Sequence, residues 1–194
     1  MSLLNGYPVF IQILPASSSR PMSIHIIIDG YNLIRQSSSL SLLDHQDLQL
    51  GREALVDLLV KYKRIKHHKI TVVFDGTNAL SFSGHRDYIN GIEIKFSRFG
   101  ESADTVIKKI AAVEKEKALV VSSDREVVDS ACLSGAAVIG SNEFEQKLEI
   151  AADSDGFNAG GKGEDGWIPT TKKKGPKRRL SKKKRRNRTK INKL

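Results

Sequence analysis

Four aspartates sit at the ends of short apolar runs or at the start of helical patterns: Asp29 in "IHIIIDGYNLI", Asp75 in "ITVVFDGT", Asp104 in "GESADTVIKKI" and Asp124 in "LVVSSDRE". Carboxylates brought together repel and raise one another's pKa, so such a cluster is costly unless a cation offsets it. Mg2+ or Mn2+ suits the purpose. Both prefer hard oxygen ligands and keep several waters, so two or three carboxylates suffice to hold them against a phosphate. The chemistry this supports is phosphodiester hydrolysis, with the cation activating a water, orienting the phosphate and stabilising the leaving oxygen. Each position also has a plainer reading, because an Asp after a strand or at a helix start is an ordinary turn former or N-cap. At any one position the residues leave both readings open; recurrence at one rim favours the site.

That rim has to be built by strands and helices. Five segments are short, rich in β-branched residues and bounded by polar or turn residues, which predicts strands over Ile24–Ile28, Ile70–Phe74, Ile92–Phe96, Ala118–Ser122 and Ala136–Ile139. The first, second and fourth are nearly continuous apolar runs, as expected of parallel strands covered on both faces. Between them, Leu55, Leu58, Leu59 and Tyr62 form one helical stripe, and Val106, Ile107, Ile110 and Val113 another. "REVVDSACLSG" reads as a shorter helix stopped at Gly135, and Asn142 followed by Glu145 as a capping box opening a last helix to about Ala152. Strand and helix alternate, so the fold class is α/β, with a central, mostly parallel five-stranded sheet over residues 22–152. In such open sheets the site lies beyond the carboxyl ends of the strands, where strand order reverses.

Charge divides the chain. Residues 172–194 hold 14 Lys and Arg and no acid, whereas residues 1–171 hold 18 Lys and Arg against 22 Asp and Glu, a net of −4. A block of like charge cannot collapse on itself, so residues 172–194 are expected to be a disordered basic tail that binds a polyanion, with Lys172, Lys173 and Lys174 among its phosphate contacts. Residues 153–171, rich in Gly and Asp and without periodicity, read as a flexible linker. Residues 1–21 lack a basic n-region and a convincing cleavage site and read as a loose extension, with Met22 the expected natural start. Cys132 is the only cysteine, which rules out an intrachain disulfide and fits a reducing, cytoplasmic setting. No apolar run approaches a membrane span, so no membrane partner is expected.

Rival sites find little support. The loop after the first strand has no G-x-G-x-x-G, and G-x-x-x-x-G-K-[ST] is absent, so neither a dinucleotide nor any other organic cofactor is expected. His67 and His68, with His25, His45 and His85, read as solvated basic positions rather than metal ligands. Residues 76–91 read as a long connection whose Phe82, His85, Arg86 and Tyr88 suit single-stranded RNA through charge and stacking, or pin the loop to the body.

Taken together, "IIIDGYNLI", "REALVDLLVKYK", "ITVVFDGT", "GESADTVIKKI", "LVVSSDRE" and "GAAVIGSNEF" resemble, in order and spacing, the YacP-like branch of the NYN domains, relatives of the PIN-domain nucleases, from about Ser23 to Ile150. The resemblance implies a Rossmann-like (PIN-like) three-layer domain and a metal-dependent endoribonuclease using Mg2+ or Mn2+. Asp29, Asp104 and Asp124 would be its core metal-binding and catalytic acids. It further implies that Asn32 orients a ligand or the phosphate, and that Asp75 either binds metal or supports the site. Glu53 is a candidate helix acid, and Arg52 beside it contacts phosphate or pairs with an acid. The implied partner is RNA, and the basic tail suits a structured RNA such as the ribosome. A non-catalytic RNA- or ribosome-binding module is the competing reading, though it has no need of phosphate-repelling acids. A small-substrate phosphatase lacks its D-x-D box.

Overall fold

The computed structural model describes residues 23–76, 86–157 and 181–194. The expected extension over 1–21, Phe82 and His85, most of the expected linker, and Lys172, Lys173 and Lys174 lie outside the described residues.

Six strands form one sheet: β1 (His25–Asp29), β2 (Lys69–Phe74), β3 (Arg86–Ile89), β4 (Ile92–Phe96), β5 (Ala118–Val121) and β6 (Ala137–Ile139). Their order is β3-β4-β2-β1-β5-β6, and every neighbouring pair is parallel except β3 with β4. The helices are α1 (Gly30–Gln36), α2 (Ser38–Gln46), α3 (Leu48–Ile65), α4 (Ala103–Glu114), α5 (Arg125–Leu133), α6 (Ser141–Phe157) and α7 (Lys182–Ile191). Successive strand residues face opposite sides. Ile26, Ile28, Val72, Phe74, Leu119 and Val121 therefore pack with Leu33, Leu55, Leu59, Tyr62 and Phe144 of α1, α3 and α6. Ile27, Val73 and Val120 meet Ile107 and Ala111 of α4 and Val127 and Ala131 of α5 on the other side. The result is three layers. No described helix is long and apolar enough to cross a membrane.

What positions the site is the path of the chain. From β1 it moves outward to β2 and β4 on one side; α4, packed on β1, β2 and β5, then carries it back to β5 on the other. Strand order thus reverses between β1 and β5, and a crevice opens there beyond the carboxyl ends.

Several expectations need correction. The sheet has six strands rather than five, because "RDYI" forms β3 within what reads as a connection. All four of its residues are exposed, so no apolar pattern marks this edge strand. The missed signal was Asn90-Gly91, which closes the β3–β4 hairpin with φ of 48° and 80°, both positive, as a type I′ turn requires. Ser37 joins α1 to α2, and its buried hydroxyl caps α2 at the Leu40 N–H. In α4 the buried residues are Ala103, Ile107 and Ala111, while Val113 is 80% exposed, so the face turned to the sheet runs through two alanines rather than through Val113.

Helix α6 outruns its expected end at Ala152 and reaches Phe157. His25 is buried, not solvated. Its Nε2 lies 2.8 Å from Thr71 Oγ1, which donates to Glu93 at 2.8 Å, and its Nδ1 lies 3.1 Å from Glu114. Burial pushes its pKa down, against the opposing pull of Glu114.

The largest correction concerns the basic tail, whose last part is a docked helix. Ser181 caps α7 at the Lys184 N–H. Asn187 accepts from Val138 N at 2.8 Å and donates to Val138 O at 3.2 Å, so its side-chain amide pairs with the outer edge of β6 much as another strand would. Ile191 packs on the core, Leu194 is 7% exposed within it, and the buried Tyr62 hydroxyl donates to the Leu194 carbonyl at 3.3 Å. Composition misleads here because charge repulsion along the segment is offset by contacts only the folded body supplies. Leu194→Ala is expected to cost about 2–3 kcal/mol, as for a buried leucine, read as a lower urea midpoint; a solvated tail would leave the midpoint unmoved.

Candidate active site

Asp29 ends β1, the central strand, and is at once the N-cap of α1, accepting from Asn32 N at 3.2 Å. Helix and strand meet so tightly that a Cβ on Gly30 would fall 2.3 Å from Phe74 Cε1, which accounts for the glycine of the D-G pair. The second Asp29 oxygen accepts from Ser122 Oγ at 3.2 Å. Only 7% exposed, the carboxyl is pushed up to about 6, chiefly by burial, with the charges of Asp104 and Asp124 adding and the two hydrogen bonds opposing.

Asp124, just beyond β5, is the N-cap of α5 and accepts from Glu126 N at 2.7 Å and Val127 N at 3.2 Å. Its own N–H donates to Ser122 Oγ at 3.1 Å, so one serine hydroxyl links the two acids on either side of the strand-order reversal. Asp104 stands in the first turn of α4 but does not cap it; Ser102 does, accepting from Thr105 N at 3.2 Å. The plain N-cap reading therefore fails for Asp104 while holding for the other two. Its pKa is raised by burial and then by Asp124, with Glu126 and Asp75 adding and Lys108 opposing. Asp75 follows β2 and accepts from Ser97 Oγ at 3.1 Å, and the same hydroxyl accepts from Gly76 N at 2.9 Å.

The other sequence candidates separate. Asn32 lies at the rim, but its side-chain oxygen accepts from Ser123 N at 3.0 Å, Ser141 Oγ at 2.7 Å and Gln36 Nε2 at 3.3 Å. It ties the ends of β1, β5 and β6 together. Glu53 and Arg52 line a pocket of about 190 Å³ that Asp29, Asp104 and Asp124 do not line, shared with Gln49, Phe74, Asp87 and Phe96, where the Arg52 guanidinium lies 5.5 Å from the Phe96 ring centre. Arg86 is engaged with Glu93 at 2.7 Å. Ser122 and Ser97, which sequence reasoning passed over, are the residues that hold the acids; the S-S-D run contained the first of them.

A divalent cation can be tested against this donor set. Asp29, Asp104 and Asp124 form no ion pair with Lys, Arg or His among the described residues, and one of them is buried. As the side chains stand, no three His, Cys, Asp or Glu among the described residues are close enough together to hold a metal ion. The fit is therefore one of chemistry: hard oxygen donors, mutually repelling and without a counter-charge.

The family model for the YacP-like NYN domain matches residues 26–193. The chain belongs to that family. The match extends through α7, so the docked basic helix falls inside the family's span. Among solved structures, the NYN fold here is similar to that of Rae1 (YacP) from Bacillus subtilis. A mutant form of that protein shares 22% identity and a TM-score of 0.57, covering 68% of this chain and 78% of that one. A second structure of Rae1 shares 20% identity and a TM-score of 0.55, covering 68% and 77%. At that identity the likeness speaks for the PIN-like fold. No curated protein sequence matches the chain at a significant level.

The Asp29 shift makes a stability prediction. Because the folded state holds this proton more tightly than an unfolded carboxyl near 3.8 would, the stabilisation is full below about pH 4 and lost as pH rises through about 6. An ionised Asp29 then costs roughly 3 kcal/mol. Asp29→Asn, which keeps a good N-cap, is expected to raise Tm at pH 7.5 in EDTA. The gain should shrink through pH 6 and vanish near pH 4, as followed by circular dichroism melts.

Proposed function

We propose that this protein is a divalent-metal-dependent endoribonuclease that hydrolyses RNA phosphodiester bonds at the rim formed by Asp29, Asp104 and Asp124. Its membership of a family of PIN-like nucleases supports the reaction class. The observation that carries the site is that three carboxylates from distant segments act electrostatically on one another at the strand-order reversal, none with a cationic partner among the described residues.

Asp29, Asp104 and Asp124 would hold the cation, Mg2+ or Mn2+ by the hardness of the donors. When bound, such an ion lowers the pKa of a water and neutralises phosphate charge. The chain's own contribution is placement. Ser122 fixes the Asp29 carboxylate and the start of the Asp124 turn, Ser97 orients Asp75 toward the same side as a supporting acid, and Asn32 holds three strand ends in register. Protons compete with the cation for the Asp29 carboxylate, so activity should fall as pH drops below about 6, and higher cation concentration should move that fall to lower pH. RNA is the substrate class, and the basic C-terminal segment supports a large structured RNA such as the ribosome as the place of action. The lone free thiol, Cys132, supports a reducing cytoplasmic setting.

Non-catalytic RNA binding is the second reading, favoured by the absence of a ready three-ligand cluster among the described residues. A single experiment separates the two. In Mn2+ or Mg2+ the protein is expected to cut mixed single-stranded RNA, with EDTA abolishing the reaction and Asp104→Asn lowering the rate by about 100-fold or more. Mn2+ should also raise the Tm of the native protein, and less so that of Asp104→Asn. RNA binding without cutting and without a cation-dependent Tm, on naked and on ribosome-bound RNA alike, would establish the binding module instead.

A further inference from the structure

The docking of α7 sorts six of its seven positive charges into two sets, with the exposed Lys182 of the first turn lying between them. Lys183 donates to the Cys132 carbonyl at 2.6 Å, Arg186 pairs with Glu116, and Lys190 donates to the carbonyls of Glu116 and, at 3.3 Å, of Ala118. With Asn187 on β6 and Ile191 on the core, these residues span an arc of roughly 140° at about 100° per residue. Lys184, Arg185 and Arg188 occupy an arc of roughly 100° on the opposite side of the same helix. All three are exposed, and among the described residues none has an acidic partner. Among the described residues, no side chain of this second set makes a hydrogen bond or ion pair with the body.

Their location is also set by the docking. Apart from Val138, midway along β6, the groups that α7 and the residues after it touch through hydrogen bonds include the end of α5 (Cys132), the turn before β5 (Glu116), the start of β5 (Ala118) and the end of α3 (Tyr62, Lys66). These last four lie at the amino ends of the parallel strands. Asp29, Asp104 and Asp124 lie at the carboxyl ends, so the two faces are separated by about the length of a strand, on the order of 15 Å. A phosphate held by Arg188 is therefore not the phosphate facing the acids.

We propose that Lys184, Arg185 and Arg188 form a second RNA-binding face, which holds the backbone of a separate stretch of the same RNA while the acidic rim receives the stretch to be cut. The inference rests on the ribonuclease reading for the identity of the polyanion. Three cations within two helical turns suit successive phosphates, and the arc carries no apolar or aromatic side chain with which to enter a bilayer or stack a base. Recognition at this face is thus independent of sequence, and it favours RNA long or folded enough to reach both ends of the sheet.

The test uses the full chain and K184A/R185A/R188A, with Arg188→Gln as the milder companion. Affinity for a long structured RNA and for a short single-stranded oligonucleotide is measured over a salt series, alongside Tm and cleavage of the short substrate. The expected result is a Tm unchanged from the native protein, affinity for the long RNA about ten-fold weaker or more, and a slope of log K against log salt smaller by about 2. Arg188→Gln should lower the slope by somewhat less than 1, and cleavage of the short oligonucleotide should be unaffected. An unchanged salt slope in folded variants would overturn the proposal, as would loss of binding to phosphatidylserine vesicles with RNA affinity intact. If the slope falls as expected but no RNA is ever cut, the ribonuclease reading fails and the second face stands; if cutting is seen and the slope does not move, the second face alone is lost.

Discussion

A carboxylate buried at the end of the central strand is the constraint around which this protein is organised. Asp29 sits in a place where ionisation is unfavourable, and burial raises its pKa to about 6. A nonpolar residue there would lose the α1 cap and the link to Ser122. The surrounding groups do not remove the cost: one N–H and one hydroxyl lower it, and the two other acids of the rim raise it. Repulsion of this kind among three oxygen-rich groups beside a crevice is what the proposed hard cation would relieve.

The rim is held by neutral groups. Ser122 and Ser97 each serve as donor to an acid and acceptor from a backbone N–H, and the Asn32 oxygen gathers donors from α1, from the residue before Asp124 and from the first residue of α6. Cations would have done the same work while neutralising the acids. Lys108, whose charge pulls the pKa of Asp104 down, is paired to Glu126, so its charge is already shared. The arrangement positions the carboxylates and leaves their charge uncompensated.

The opposite end of the sheet shows the reverse economy. There the basic residues of α7 are structural on one side and uncommitted on the other, and the family's span runs through them. The edge of β6, which would otherwise present unpaired backbone groups, is covered by Asn187. Acidic rim and most contacts of the basic helix thus lie toward opposite ends of one sheet, which on the proposed reading separates positioning of RNA from chemistry on it.

The strongly apolar strands were legible as strands because parallel strands covered on both faces need continuous β-branched runs, and β1, β2, β4, β5 and β6 lie within a residue or so of their expected bounds. Asp29 and Asp124 were legible as candidates because each follows such a run, and Asp104 because it opens a helical pattern. The exposed β3 was not, since an edge strand with no buried face carries no hydrophobic pattern, although its Asn-Gly turn was written in the chain. Nor was α7, because its order comes from Glu116, Val138 and Tyr62, residues between 49 and 132 positions away from their partners. Residue types and local periodicity therefore determined the class of fold and the acids available to it. Which acids cap helices, which of them is buried, and which positive charges remain free depend on contacts between segments remote in sequence, and only the tertiary structure decides those.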